Sequence, residues 1–367
     1  MKILTDLHHF DLFHSFFLLF EKRLGIELYR PIGMGWKDEG YWDVYAESPV
    51  TECYLSTTDG EAESLLSELP PLGDTGWARY LVEMLRVGPV TLGETGIYRI
   101  EDKSKHWAPL QRGITLGLFR QTKFDFVLSS MPQHYEPFKR LAKEQGCPHI
   151  VHLGGVGSDG PWTPPSGAKN VMLHSPPRGG MPDINWVSYH QEFDLDVFCP
   201  TPIEHPKNVV SWVHFPDSME LMGEVACSLP DDWTFTSMGN FRGPQAGVIA
   251  DTGLLATMIK ASGWTWHIKP GGESYGHIIH NSFACGRPII TNLNDLRGNI
   301  SCALLEHGKT CIDVSSSTKD EVVKDLIYYT ERYQEIHTNV IERFNDVVDF
   351  ESESHTIKEF LERANAQ

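Results

Sequence analysis

Residues 269–291 read KPGGESYGHIIHNSFACGRPIIT, and this short run combines several chemically useful residue types. Adjacent glycines, Gly271 and Gly272, let the backbone take positive φ and come close to a ligand. From Tyr275 onward the apolar or small positions Tyr275, Ile278, Ile279, Ser282, Phe283 and Gly286 recur at helical spacing. Gly286 suits a left-handed C-terminal cap, and Pro288 stops any continuation. The glycines therefore lie where a strand, WTWHIK, turns into a helix N-terminus. Unpaired N–H groups and the positive end of the helix dipole favour phosphate there. Glu273 would repel a phosphate, but its carboxylate suits the hydroxyls of a ribose or sugar. Open parallel sheets bind ligands at the C-terminal ends of their strands, where this turn lies. The chemistry suggested is a nucleoside diphosphate. The plainer alternative is a tight turn in which Glu273 and Ser274 only cap the helix. A Glu273→Ala substitution separates the two: the ligand reading expects weaker binding at nearly unchanged stability, and the capping reading expects the reverse.

Other loops after strands carry further candidates. SMGNFRGPQAG (237–247) sets Arg242 among glycines, and Arg242 with Lys269 could balance the charge of a departing diphosphate. DLHHFDLFH places His8, His9, Asp11 and His14 directly after the first strand; His9 or Asp11 could act as a general base, or the group could simply bind substrate. Their spacing matches no usual zinc-ligand pattern, and no metal is assigned. SSMPQHYEPF (129–138) offers His134, Tyr135 and Glu136 ahead of a helix starting near Pro137, read together with His8 as acceptor-side residues. HLGGVGSDG (152–160) lacks the helix and acidic residue of a dinucleotide fingerprint. Of the ten tryptophans, most are expected in the core, with a few available to stack on a sugar or base.

The elements that must position these residues alternate strand and helix. KILTDL, the helix SFFLLFEKRLG ending at Gly25, and the strand IELYRPIG make a βαβ opening; HHFDLFH reads as a loop. DFVLSS, a helix through PFKRLAKEQG, HIVHLGG and NVMLHS continue the series, while residues 34–120 show no regular pattern. A second series begins near residue 207 with NVVSWVHF and runs through the glycine turn to TCIDVS. The expected fold is α/β, with two Rossmann-like doubly wound domains, 1–200 and 207–345, joined by the proline-bearing CPTPIEHPKN. Residues 318–350 and the tail read as helices, and the segment 346–367 is expected to pack back on the N-terminal domain.

Length supports two domains, since 367 residues exceed the usual size of one. Apolar content of 41% and charged content of 22% are those of an ordinary globular chain. A net charge of -18 argues against a broad nucleic-acid footprint, which needs clustered Lys and Arg, though a local basic groove is compatible with it. The seven cysteines form no CxxC pair and suit reduced thiols. The apolar run at residues 16–20 is too short to span a bilayer, and acidic and histidine residues before it break any export signal. Cytoplasmic location is the expectation.

The order ESYG, an apolar helix, ACGRPIITN and then EHGKTCIDV resembles the donor-binding half of GT-B glycosyltransferases of the group 1 kind, family 4. Glu273 and Gly276 match the family's E-x-x-G. Ala284, Gly286, Pro288, Ile289 and Ile290 match its A-x-G-x-P-V-I run, and Glu306, Gly308 and the strand from Thr310 fit its later E-x-x-x-G strand entry only loosely, the spacing here being E-x-G. The resemblance implies GT-B architecture and metal-independent transfer of a sugar from a nucleotide donor, UDP-linked, to a hydroxyl acceptor with retention of configuration. It implies donor contacts at Gly271, Gly272, Ser274, Tyr275, Gly276, His277 and Asn281, with Arg242, Lys269 and Glu273 around the reacting groups; under retention His9 and Asp11 would bind acceptor or donor, and only an inverting enzyme would use one of them as a catalytic base. The nucleotide sugar is a co-substrate, and no cofactor is implied. Eight positions after Glu273 the family carries a second glutamate; Asn281 stands there and could hydrogen-bond a ribose without charge. Alternatives within this frame are a nucleotide-sugar epimerase or hydrolase, a non-catalytic sugar-nucleotide-binding protein, and a glycosyltransferase acting on a modified nucleic-acid base.

Overall fold

The computed structural model describes residues 1–6, 10–31, 90–92, 97–100, 111–114, 116–154, 156–157, 160–161, 163–175, 181, 183–212, 215–238, 252–273 and 275–367. Among these residues nine strands form the first sheet: β1 (Lys2–Thr5), β2 (Glu27–Pro31), β3 (Val90–Leu92), β4 (Ile97–Ile100), β5 (Gln111–Ile114), β6 (Phe126–Ser129), β7 (His149–Leu153), β10 (Asn170–Leu173) and β11 (Asn185–Ser188). Their spatial order is β11-β10-β7-β6-β1-β2-β5-β4-β3. Pairing is parallel from β11 through to β5, and β3 and β4 add an antiparallel edge. A short hairpin, β8 (Val156–Gly157) with β9 (Gly160–Pro161), stands apart. The second sheet is wholly parallel, in the order β13-β12-β14-β15-β16. Its strands are β12 (Asn208–Ser211), β13 (Thr234–Ser237), β14 (Trp264–Trp266), β15 (Ile289–Thr291) and β16 (Cys311–Asp313).

Helices cover both faces of both sheets, as parallel sheets require. On one face of the first sheet Ile3, Phe126, Leu128, Ile150, Met172 and Val187 pack with Phe16 of α1 (Phe10–Phe16) and Phe20 of its π-helical continuation, Phe17–Arg23. Beyond the short α2 (Leu116–Gln121), α3 (Tyr135–Gln145) covers Leu4 and Val127 on the other face with Phe138 and Ala142. In the second sheet Trp264, Trp266, Ile290 and Ile312 meet α4 (Pro216–Ala226) and α7 (Lys319–Glu331). The opposite face packs on α5 (Thr252–Ala261), α6 (His277–Ala284) and α8 (Tyr333–Val347). The last helix, α9 (Phe350–Asn365), inserts Ile357, Phe360, Leu361 and Ala364 into the core of the first sheet. The chain passes between the sheets through residues 189–207. Arg287, fully buried, anchors that passage: its guanidinium donates to the Thr201 carbonyl (3.0 Å) and hydroxyl (2.8 Å), and to the carbonyls of Lys260 and Cys285.

One local expectation changes, and two regions gain detail. HHFDLFH, expected as a loop, is helical from Phe10, because Leu12, Phe16, Leu19 and Phe20 share one face against the core. Residues 318–350 divide into α7 and α8 at Arg332, whose φ of -111 and ψ of 27 leave the helical range. The unassigned region 34–120 contributes β3, β4 and β5 among its described residues.

Candidate functional site

Among the described parallel strands of each sheet the order reverses once, between β1 and β6 in the first and between β12 and β14 in the second. Such a switch point opens a crevice at the strand C-termini, where α/β folds place their ligands. The glycine turn leaves β14 at the second of these. Gly272 N–H donates to the Lys269 carbonyl at 3.2 Å, closing a turn with Pro270 and Gly271 at its centre. Proline before a positive-φ glycine is the type II pattern, and Gly271 has φ 82. Gly272 (φ 91) and Gly276 (φ 84) are also left-handed, and Gly276 caps α6. At the far end of α6, Gly286 has φ 73, the left-handed stop read from the sequence.

Glu273 folds back onto the strand it follows. Its carboxylate accepts from Lys269 Nζ at 2.8 Å and contacts His267 Nε2 at 3.2 Å. Burial by itself would push this carboxyl up; the His267 hydrogen bond and charge, with those of Lys269, outweigh it and hold the pKa at about 2. Glu273 is therefore a fixed anion that accepts hydrogen bonds and has no proton to give at neutral pH. Lys269, 34% exposed at its side chain, uses one of its three N–H donors on Glu273.

Behind the turn lies a layer of aromatic and imidazole rings. Tyr275 is fully buried, stacks on His280 (4.1 Å between ring centroids, 9° between planes) and donates its hydroxyl to the Gln191 carbonyl at 3.2 Å. The rings of His174, at the end of β10, and of His190 lie 5.1 Å and 6.5 Å from Tyr275. Burial drives His280 well below the usual histidine range, so it is neutral, and its Nδ1 donates to the Gly276 carbonyl at 2.9 Å. His190 Nδ1 reaches Glu353 of α9 at 2.5 Å. His277 sits edge-on to Tyr275, 4.9 Å away. Asn281 is buried, and its Oδ1 has no hydrogen-bond partner among the described residues. The turn is thereby tied to the passage between the sheets and, through it, to the last helix.

At the first switch point Asp6 organises the loop after β6. It accepts from Ser130 N (2.7 Å), Ser130 Oγ (2.9 Å), Met131 N (3.0 Å) and His134 Nδ1 (2.9 Å). His134 and Tyr135 are buried beneath this loop. Burial, with the Asp6 charge, pushes the Tyr135 hydroxyl up to about 12. Glu136 is exposed and pairs with Lys139 at 3.2 Å. Of the residues singled out in the sequence, Lys269, Gly271, Gly272, Glu273, Tyr275, Gly276, His277 and Asn281 come together around the second switch point. His134, Tyr135 and Glu136 group at the first, and Asp11 lies on α1. His8, His9, Arg242 and Ser274 lie outside the described residues. The sequence reading missed His267, Asp6 and Asn299 as parts of these sites; Asp6 had one signal, an acidic residue at the end of the first strand.

No family model and no curated protein matches this sequence. Among solved structures, HepE from Anabaena in complex with UDP and glucose superposes with a TM-score of 0.59 at 12% identity, over 99% of this chain and 100% of that one. The same protein in complex with UDP gives 0.61. TarM gives 0.56 at 10% identity over 98% of both chains. Sucrose-phosphate synthase from Thermosynechococcus elongatus gives 0.50 at 12% identity, over 66% of this chain and 74% of that one. Among the described residues no helix is long and apolar enough to cross a membrane. At these identities the likeness is one of fold, and the fold is that of the GT-B glycosyltransferases.

Proposed function

We propose that the chain is a cytoplasmic glycosyltransferase that moves a sugar from a UDP-linked donor to a hydroxyl acceptor, retaining configuration and using no metal. The observation that carries this reading is the half-buried Glu273, clamped by His267 and Lys269, on a turn of left-handed glycines at the switch point of the second sheet. The UDP assignment draws on the UDP-bound complexes of HepE, which share the fold.

In this scheme the amides of the Gly271–Gly276 turn and the start of α6 receive the diphosphate, with Ser274, Tyr275, His277 and Asn281 completing the donor pocket. Lys269 keeps two N–H donors for phosphate oxygen, and Arg242 joins it as charge builds on the leaving group. Glu273 accepts hydrogen bonds from donor hydroxyls, a role that suits a group unable to protonate near pH 7. Transfer breaks the bond from the anomeric carbon to the β-phosphate oxygen and forms one to the acceptor oxygen on the same face. The departing phosphate oxygen is then the nearest base and takes the acceptor proton. His8, His9 and Asp11, with the loop that Asp6, His134 and Tyr135 shape and Glu136 flanks, form the acceptor side.

A thermal-shift panel of UDP, GDP, ADP, CMP and TDP tests the reading. A ligand at one hundred times its Kd stabilises the folded state by about 2.7 kcal/mol. A shift specific to UDP is expected, and a flat panel would remove the nucleotide-sugar assignment.

A further inference from the structure

Resting on that reading, we propose that Asn299 is a positioning residue for the donor turn, holding Glu273 in place from a neighbouring loop. A backbone with glycines at 271, 272 and 276 in the left-handed region has many conformations open to it, so something outside the turn must select one. Asn299 lies in the loop after β15 and is 5% exposed. Its Nδ2 donates to the Glu273 carbonyl at 2.6 Å, across 26 positions of sequence.

The direction of the Asn299 amide is fixed by chemistry. Its Oδ1 faces Ser301 N at 2.9 Å and Ser301 Oγ at 2.8 Å, and a backbone N–H can only donate. The oxygen must therefore face Ser301, which leaves the NH2 group for Glu273. Asn299 is itself held by its N–H, which donates to the Leu296 carbonyl at 2.9 Å, and it caps the 3-10 turn Ile300–Leu304. That turn also backs the glycine turn by contact: a Cβ on Gly276 would lie 3.5 Å from Ser301 Cβ. Glu273 is thus held at its carboxylate by residues of its own strand end and at its carbonyl by Asn299.

Two substitutions separate positioning from simple stability. Asn299→Asp keeps an oxygen for Ser301 and so keeps the cap, but it cannot donate to Glu273. Asn299→Ala removes the bonds to Glu273 and to Ser301 without adding charge. Calorimetric titration with UDP should show affinity falling about tenfold in each variant, the scale of one residue's backbone freedom regained. Hydrogen exchange, read well below each variant's melting temperature, should quicken in peptides covering 268–284 and stay at the parent's rate in peptides of the first sheet. Unchanged UDP affinity in Asn299→Ala overturns the proposal, as does exchange that stays slow in both variants. Failure of the nucleotide reading is distinct, because it would be seen as no UDP binding by the unsubstituted protein, with the exchange result still deciding whether Asn299 holds the turn.

Discussion

Replacing Glu273 by Gln keeps the shape of the side chain and removes its charge, which tests whether the site is built around a fixed anion. The carboxyl is held at about 2 against an ordinary 4.5. At about 1.4 kcal/mol per pH unit, this amounts to roughly 3 kcal/mol favouring the folded, ionised form near neutral pH. Because the folded-state pKa is depressed, that stabilisation is fully present above pH 4.5 and is lost as the pH falls through about 2. At pH 3 roughly half of it remains. Urea unfolding of both proteins at pH 7 and pH 3 reads the difference from midpoints, provided the slopes agree. Glu273→Gln should be less stable at pH 7 by up to about 3 kcal/mol, and the gap should shrink by about half at pH 3. This departs from the sequence-based expectation of nearly unchanged stability, because the clamp by His267 and Lys269 shows only in three dimensions. A gap that ignores pH, or a variant as stable as the parent at pH 7, would refute the electrostatic account.

Gly276→Ala forces a β-carbon onto a left-handed residue, 3.2 Å from Ile279 Cδ1 and 3.4 Å from Glu273 Cγ. It should cost about 1–2 kcal/mol in thermal unfolding, and UDP affinity should fall with it as the turn shifts. Arg287→Lys keeps the charge but loses the planar fork that bonds Thr201, Lys260 and Cys285. A loss of about 2–4 kcal/mol in the same assay is expected, and a change below about 0.5 kcal/mol would show that the fork is dispensable.

Both strand–helix series could be read from the sequence because their strands are short apolar runs between turn residues, as in DFVLSS and RPIITN. The turn before α6 was equally legible, since glycine, proline and helical spacing are local signals. What escaped depends on partners far along the chain. Asp6 meets its loop across 124 to 128 positions, and Asn299 meets Glu273 across 26. The antiparallel strands β3 and β4 and the edge strand β11, NWVS, lack the continuous apolar run of a buried parallel strand. At HHFDLFH the histidines and aspartate obscured a helical face that only Leu12 and the residues after it complete. His280 and Asn281, which helical periodicity alone would leave off the apolar face, are buried because the ring layer and the segment between the sheets close over α6.

The most direct test of a UDP-sugar site at this turn is a crystal structure of the protein with UDP. The diphosphate should lie against Gly271, Gly272 and the start of α6, within hydrogen-bond distance of Lys269 Nζ. UDP bound elsewhere on the molecule, with Lys269 and Glu273 still paired to each other and touching no ligand, would contradict the account.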